Sequence, residues 1–115
     1  MAITELYSGT GSVTTTEFSF VSGSTTLSND TTDGVFQTFL DLSDMIAGDQ
    51  FWIRIYEKAR SGDTKRVVYQ AILTGAQSDP IWVSPSLILM HGWDVTGDTL
   101  AGTSITVNWS IRQVA

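Results

Sequence analysis

Gln50-Phe-Trp-Ile-Arg-Ile-Tyr-Glu-Lys58, then Arg60-Ser-Gly-Asp-Thr64, then Arg66-Val-Val-Tyr-Gln-Ala-Ile-Leu-Thr74 reads as strand, turn, strand. Side chains alternate along a strand, so Phe51, Ile53 and Ile55 share one face. Trp52, Arg54, Tyr56 and Lys58 share the other. A hairpin this long and this rich in aromatic and β-branched residues predicts a β protein. It also holds five of the six basic residues, with Arg112 the sixth.

Outward from the hairpin, turn signals recur at about the spacing of short strands. Val35–Leu42 is predicted as a strand with Phe36, Leu40 and Leu42 on one face. Ser104–Val114 alternates, with Ile105, Val107, Trp109 and Ile111 inward. Ile81-Trp-Val83 lies between Pro80 and Pro85, which predicts an edge or a bend. Ser86–Trp93 is predicted as a buried strand and Asp94–Gly102 as a turn region. Ser43–Gly48 is the one helix candidate, a single turn capped by Ser43 and ended by Gly48. Of residues 1–34, 19 are Ser, Thr or Gly. They predict an N-terminal arm with short strands at Ser12–Val21 and Thr25–Leu27, its first 10–12 residues either ordered or mobile. The sum is one all-β domain over residues 1–115, an antiparallel β-sandwich or jelly roll with a Ser/Thr-rich arm. Periodicity does not choose between the two, because it does not record strand order.

Composition narrows the chemistry. The chain has 115 residues, no cysteine and a formal net charge of −6. Disulfides, thiolate metal sites and cysteine nucleophiles are therefore excluded. Residues 1–53 carry −7, residues 54–66 carry +3 and residues 67–115 carry −2. An acidic body disfavours nucleic acid and anionic membrane as partners. The longest apolar run, Leu87-Ile-Leu-Met90, is too short to cross a bilayer, and no secretory leader is expected.

The alternating Trp52, Arg54, Tyr56 and Lys58, with Arg60 beyond, form the candidate partner-binding site. Aromatics interleaved with bases can meet a protein, a sugar or a base. The competing reading is a cation–aromatic ladder that stabilises the sheet. Apolar residues at both parities of the returning strand (Val67, Val68, Tyr69, Ile72, Leu73) predict a cover over its outer face, from the arm or from a neighbouring subunit. His91 near Asp94 suggests acid–base chemistry, but no nucleophile motif accompanies it. A structural imidazole, hydrogen-bonded at a strand end, is the plainer reading. Asn29-Asp-Thr-Thr-Asp33-Gly34 has calcium-type ligands without the spacing of a calcium loop, so it reads as a turn. Asp41, Asp44 and Asp49 could form a carboxylate pair, although sequence does not place them together. No catalytic residue, metal site or cofactor is predicted, and the chain is read as non-enzymatic.

Five segments together carry a resemblance: Ile3-Thr-Glu-Leu-Tyr-Ser8, Asp33-Gly-Val-Phe36, Gly48-Asp-Gln-Phe51, Trp82-Val-Ser-Pro-Ser86 and Trp109-Ser-Ile-Arg112. The chain resembles the small β-rich virion structural proteins of tailed bacteriophages. That resemblance implies a capsid decoration (cement) protein on the virion surface, assembled in the host cytoplasm. It implies a homo-oligomer, a trimer by preference, in contact with the major capsid protein or another virion protein. It transfers no individual functional residue. The alternative is a carbohydrate-binding β-sandwich module that stacks sugars on Trp52, Tyr56, Trp82 and Trp93.

Overall fold

In the computed structural model, which describes residues 2–114, the chain is one long antiparallel hairpin rolled up on itself. The two terminal residues of the domain predicted over 1–115 lie outside the described residues. The strands are β1 (Ile3–Val13), β2 (Phe18–Ser19), β3 (Gly34–Asp41), β4 (Gln50–Glu57), β5 (Arg66–Thr74), β6 (Ile81–Val83), β7 (Leu87–Leu89), β8 (Asp94–Ala101) and β9 (Ile105–Val114). The tip of the roll is the β4–β5 hairpin. Moving back from the tip, β3 pairs with β6 and β7, β2 with β8, and β1 with β9. Two further pairings, β9 with β3 and β8 with β4, close the roll. The result is a terminal sheet, β1-β9-β3 with β6 and β7 both on the far side of β3, over a hairpin sheet, β2-β8-β4-β5. That order is the jelly roll, in which two sheets bury their inner faces against each other.

The inward residues of each strand fill the space between the sheets. Phe36, Leu40, Phe51, Ile53, Ile55, Ile105, Val107 and Ile111 are all buried, as their periodicity predicts. Burying a side chain of this size contributes about 1.5–3 kcal/mol. Aromatic rings form two nodes in the core. Phe18, Phe20 and Trp109 meet with centroids 5.3–5.6 Å apart. Phe36 lies 4.5 Å from Trp93.

Several expectations need correction. Of the two readings of the first residues the ordered one holds, but as one long strand: they form β1, paired with β9 from Ile3 to Val13. Two of its glycines reflect packing, because Gly9 sits against the Trp109 ring and Gly11 against the Phe18 and Trp109 rings. A Cβ at Gly9 would come 2.7 Å from Trp109. The strand predicted over Ser12–Val21 splits into the end of β1 and the two-residue β2, and Thr25–Leu27 is not a strand. Ser43–Gly48 forms turns rather than a helical turn. The Ser86–Trp93 strand shrinks to β7, an edge piece whose Ile88 is 78% exposed.

The largest misreading concerns Asp94–Gly102. It holds the central strand β8, buried from Asp94 to Thr99. Gly97 suggests a turn, yet it lies mid-strand, where a Cβ would come 2.5 Å from Phe51. Only glycine leaves room for the Phe51 and Phe20 rings there. Asp94, Thr96 and Asp98 of the strand face the other way and are buried by a polar network.

Candidate functional site

That network is the outer face of the hairpin sheet. Register sets Trp52 opposite Asp98 and Ile72, Arg54 opposite Thr96 and Gln70, and Tyr56 opposite Asp94 and Val67. Arg54 lies across the face. Its guanidinium carbon sits 3.7 Å from the Trp52 ring centroid, and its Nη2 pairs with Asp98 and lies 3.4 Å from Glu17 Oε2. Glu17, on the link from β1 to β2, is the hub. Its Oε2 accepts hydrogen bonds from Tyr56 Oη (2.7 Å) and Thr96 Oγ1 (2.6 Å). Trp52 Nε1 donates to Gln70 Oε1 at 3.1 Å. Lys65 Nζ lies 5.4 Å from the Tyr56 ring and donates to the Ser28 carbonyl.

The electrostatics follow from this geometry. Burial, and then the Glu17 carboxylate, push the Tyr56 phenol up to about 12. It therefore stays protonated near neutral pH and serves as a donor. Burial raises the Asp98 carboxyl as well, partly offset by the Arg54 charge. Asp94, fully buried, is also raised by burial; its carboxylate accepts from Ser19 Oγ and from the backbone N–H groups of Ser28 and Val95. This face is a cation–aromatic ladder whose polar groups largely serve one another, with Arg54 Nε buried and without a hydrogen-bond partner among the described residues.

The five predicted site residues do not form one surface. Trp52, Arg54 and Tyr56 share the ladder. β4 ends at Glu57, so Lys58 leaves that face and lies against Gly92 in the hairpin tip. Arg60 pairs with Asp63 inside the loop and is 84% exposed. Glu17 escaped the sequence reading because nothing local marks it; only strand order brings it to Arg54. The mixed parity of β5 comes from a bulge between Ile55 and Tyr56 of its partner. Below the bulge, Tyr69, Ala71 and Leu73 face inward and Ile72 faces out. Glu17 covers only the β8–β4 half of this face, and Ile72 and Val68 remain exposed.

The other candidates also resolve. The His91 backbone N–H donates to Glu57 Oε1 and the Met90 N–H to Glu57 Oε2, so the bond at this strand end is made by the main chain rather than by the imidazole. Asp30 accepts from Tyr7 Oη and from the Thr32 N–H, which commits the carboxylate at the centre of the Asn29–Gly34 turn. Asp41, Asp44 and Asp49 do not pair: each accepts a different backbone N–H, from Ser43, from Thr106, and from Ile46 and Thr103 respectively. Of the sugar-stacking candidates, Trp93 is fully buried and Arg54 covers Trp52. Trp82 is half-buried, 6.3 Å from Tyr69.

A second surface emerges that the sequence reading missed, the outer face of the terminal sheet. Ile81 and Val83 of β6 lie beside Asp41 and Phe39 of β3, and Ile88 of β7 lies beside Val35. Ile3 lies opposite Val114. Ile88, Ile3, Ile81 and Val83 are 78%, 67%, 51% and 42% exposed. A hollow of about 160 Å³ opens among Ile3, Val35, Phe39, Ser86, Arg112 and Val114. Its one cation is internally engaged: Arg112 lies 3.7 Å over the Phe39 ring, and its Nε donates to Ser110 Oγ.

Comparison of the chain with protein-family models, curated proteins and solved structures found no match.

Proposed function

We propose that the chain is a non-enzymatic virion structural protein, a capsid decoration protein that acts through protein–protein contacts. The observation that carries this reading is the apolar outer face of the terminal sheet. Exposed apolar patches mark contact surfaces, and this face exposes aliphatic side chains at both ends of β3, Ile3 and Ile88 near Val35 and Ile81 and Val83 near Asp41 and Phe39. The face offers little uncommitted charge, which suits an apolar protein surface better than a nucleic acid or a polar sugar. The virion setting comes from the family resemblance. The jelly roll is compatible with it, since viral capsid domains and lectins both use this fold. The test is the position of the tagged chain in a density gradient of lysed, infected cells. Comigration with intact particles is expected. Recovery only in the soluble fraction would overturn the reading.

A further inference from the structure

We infer that copies of this chain associate head to tail, the loop Ser43–Asp49 of one copy seating in the cleft at the hairpin tip of the next. The inference rests on the structural-protein reading and names the surfaces of its self-assembly. The loop and the cleft flank the same strand: Asp49 precedes β4, and Lys58 follows it. Eight residues at about 3.3 Å each separate them by roughly 25 Å, so one copy does not reach its own cleft.

The loop is a fixed knob. Met45 is buried and anchors it, and Asp49, also buried, accepts the Ile46 N–H at 2.9 Å. Ile46 is thereby held outward, 60% exposed, beside the exposed Asp44, whose Oδ2 accepts the Thr106 N–H and whose Oδ1 accepts no hydrogen bond among the described residues. Asp41 and Asp79 lie at the same end of the sandwich, at the β3–β6 register end. All six basic residues lie elsewhere, four of them at the opposite end.

The cleft has the complementary character. Its volume is about 820 Å³, and its lining includes Lys58, Arg66, Val67 and Val68. Val67 and Val68 are 40% and 50% exposed. The two carboxylates that share the lining are already committed. Glu57 accepts from the backbone N–H groups of Lys58, Met90 and His91, and Asp63 holds Arg60. Among the described residues no carboxylate lies within ion-pair distance of Lys58 or Arg66. An isoleucine flanked by an aspartate thus meets two valines flanked by two cations. The pairing joins unlike surfaces, so it propagates, and it closes into a ring where the rotation between copies permits. In a chain of charge −6, the basic tip is also the place where a second acidic copy is attracted rather than repelled.

The experiment is light scattering on the purified chain across micromolar concentrations, with two variants, the neutral Ile46→Asn and the double variant Lys58→Glu/Arg66→Glu. Ile46 and Arg66 are exposed and Lys58 is half-buried beside Gly92 at the cleft, and circular dichroism melts verify that each variant folds. The wild type is expected to gain mass with concentration and to lose it as salt rises. Each variant alone is expected to be a monomer. Mixed, they are expected to form a one-to-one dimer and nothing larger, because only one intact knob and one intact cleft remain between them. A wild type that stays monomeric overturns the inference, and so does either variant associating like the wild type or a mixture that stays monomeric. Particle binding by a strictly monomeric wild type would remove this inference and leave the decoration reading. Head-to-tail assembly without particle binding would do the reverse.

Discussion

Glu17 Oε2 lies 3.4 Å from Arg54 Nη2, and that contact fastens the link between β1 and β2 to the centre of the hairpin sheet. The same guanidinium holds Asp98, and the same carboxylate holds Tyr56 and Thr96. Removing Arg54 therefore takes the counter-charge from two acids at once, leaving Glu17 the Tyr56 and Thr96 hydroxyls.

Breaking a buried ion pair by deleting one partner costs roughly 3–5 kcal/mol. The Arg54, Glu17 and Asp98 side chains keep 14%, 22% and 10% of their exposure, so water screens part of the penalty. Arg54→Ala is expected to lower unfolding stability by about 2–3 kcal/mol on the same reasoning. Urea denaturation measures it. A loss indistinguishable from that of an exposed control such as Arg60→Ala would show that the ladder contributes nothing.

Tyr56 supplies a prediction in pH. Its phenol is raised from 10.0 to about 12 in the folded state. The folded state thus holds the proton more tightly than the unfolded chain. The resulting stability is fully present below pH 10 and is lost as pH rises through about 12. In a tyrosinate titration Tyr56 should ionise late, Tyr7 being raised as well by burial and Asp30, and Glu17→Gln should bring the Tyr56 midpoint down only in part, because burial is the larger cause. A Tyr56 that ionises in the ordinary range near 10.0 contradicts the geometry.

Gly97→Ala tests the close approach of β8 to the core. The added methyl would lie 2.5 Å from the Phe51 ring, so the rings must shift. Overpacking of this kind costs about 1–3 kcal/mol. Gly62→Ala is the matched control, since nothing lies within 4 Å of a Cβ there. Equal thermal midpoints for the two variants would refute the packing argument.

These cases show what the chain reveals locally and what it does not. The β4–β5 hairpin, the inward faces of β3 and β9, and the edge placement of Ile81–Val83 follow from period-2 alternation and from two prolines. β8 was hidden because its outward residues are Asp94, Thr96 and Asp98, which look solvent-exposed until Glu17, Ser19 and Arg54 are brought over them by β2 and β4. Gly97 looked like a turn because a glycine required by a neighbouring ring has the same letter as one required by a backbone angle. The apolar face was hidden for a similar reason. Ile3, Phe39, Ile81 and Ile88 are spread over four strands, and only the register of the terminal sheet puts them on one face, Ile3 and Ile88 at the Val35 end and Ile81 at the Asp41 end. Trp52, Arg54 and Tyr56 were placed on one face correctly, but their partners lie far along the chain.

Replacing Ile81 and Ile88 with Asp should leave the fold intact, since both side chains are largely exposed. Surface substitutions of this kind usually stay within about 0.5 kcal/mol each. The melting temperature of the double variant should match the wild type closely. A cooperative loss of structure would mean that this face already supports the monomer.

The most direct test of the contact-face account is therefore cosedimentation of the purified chain with the virus particles, comparing wild type with Ile81→Asp/Ile88→Asp. The wild type is expected to band with the particles, and the folded double variant to remain at the top of the gradient. Equal banding of both proteins would contradict the assignment of the terminal sheet's outer face as the docking surface.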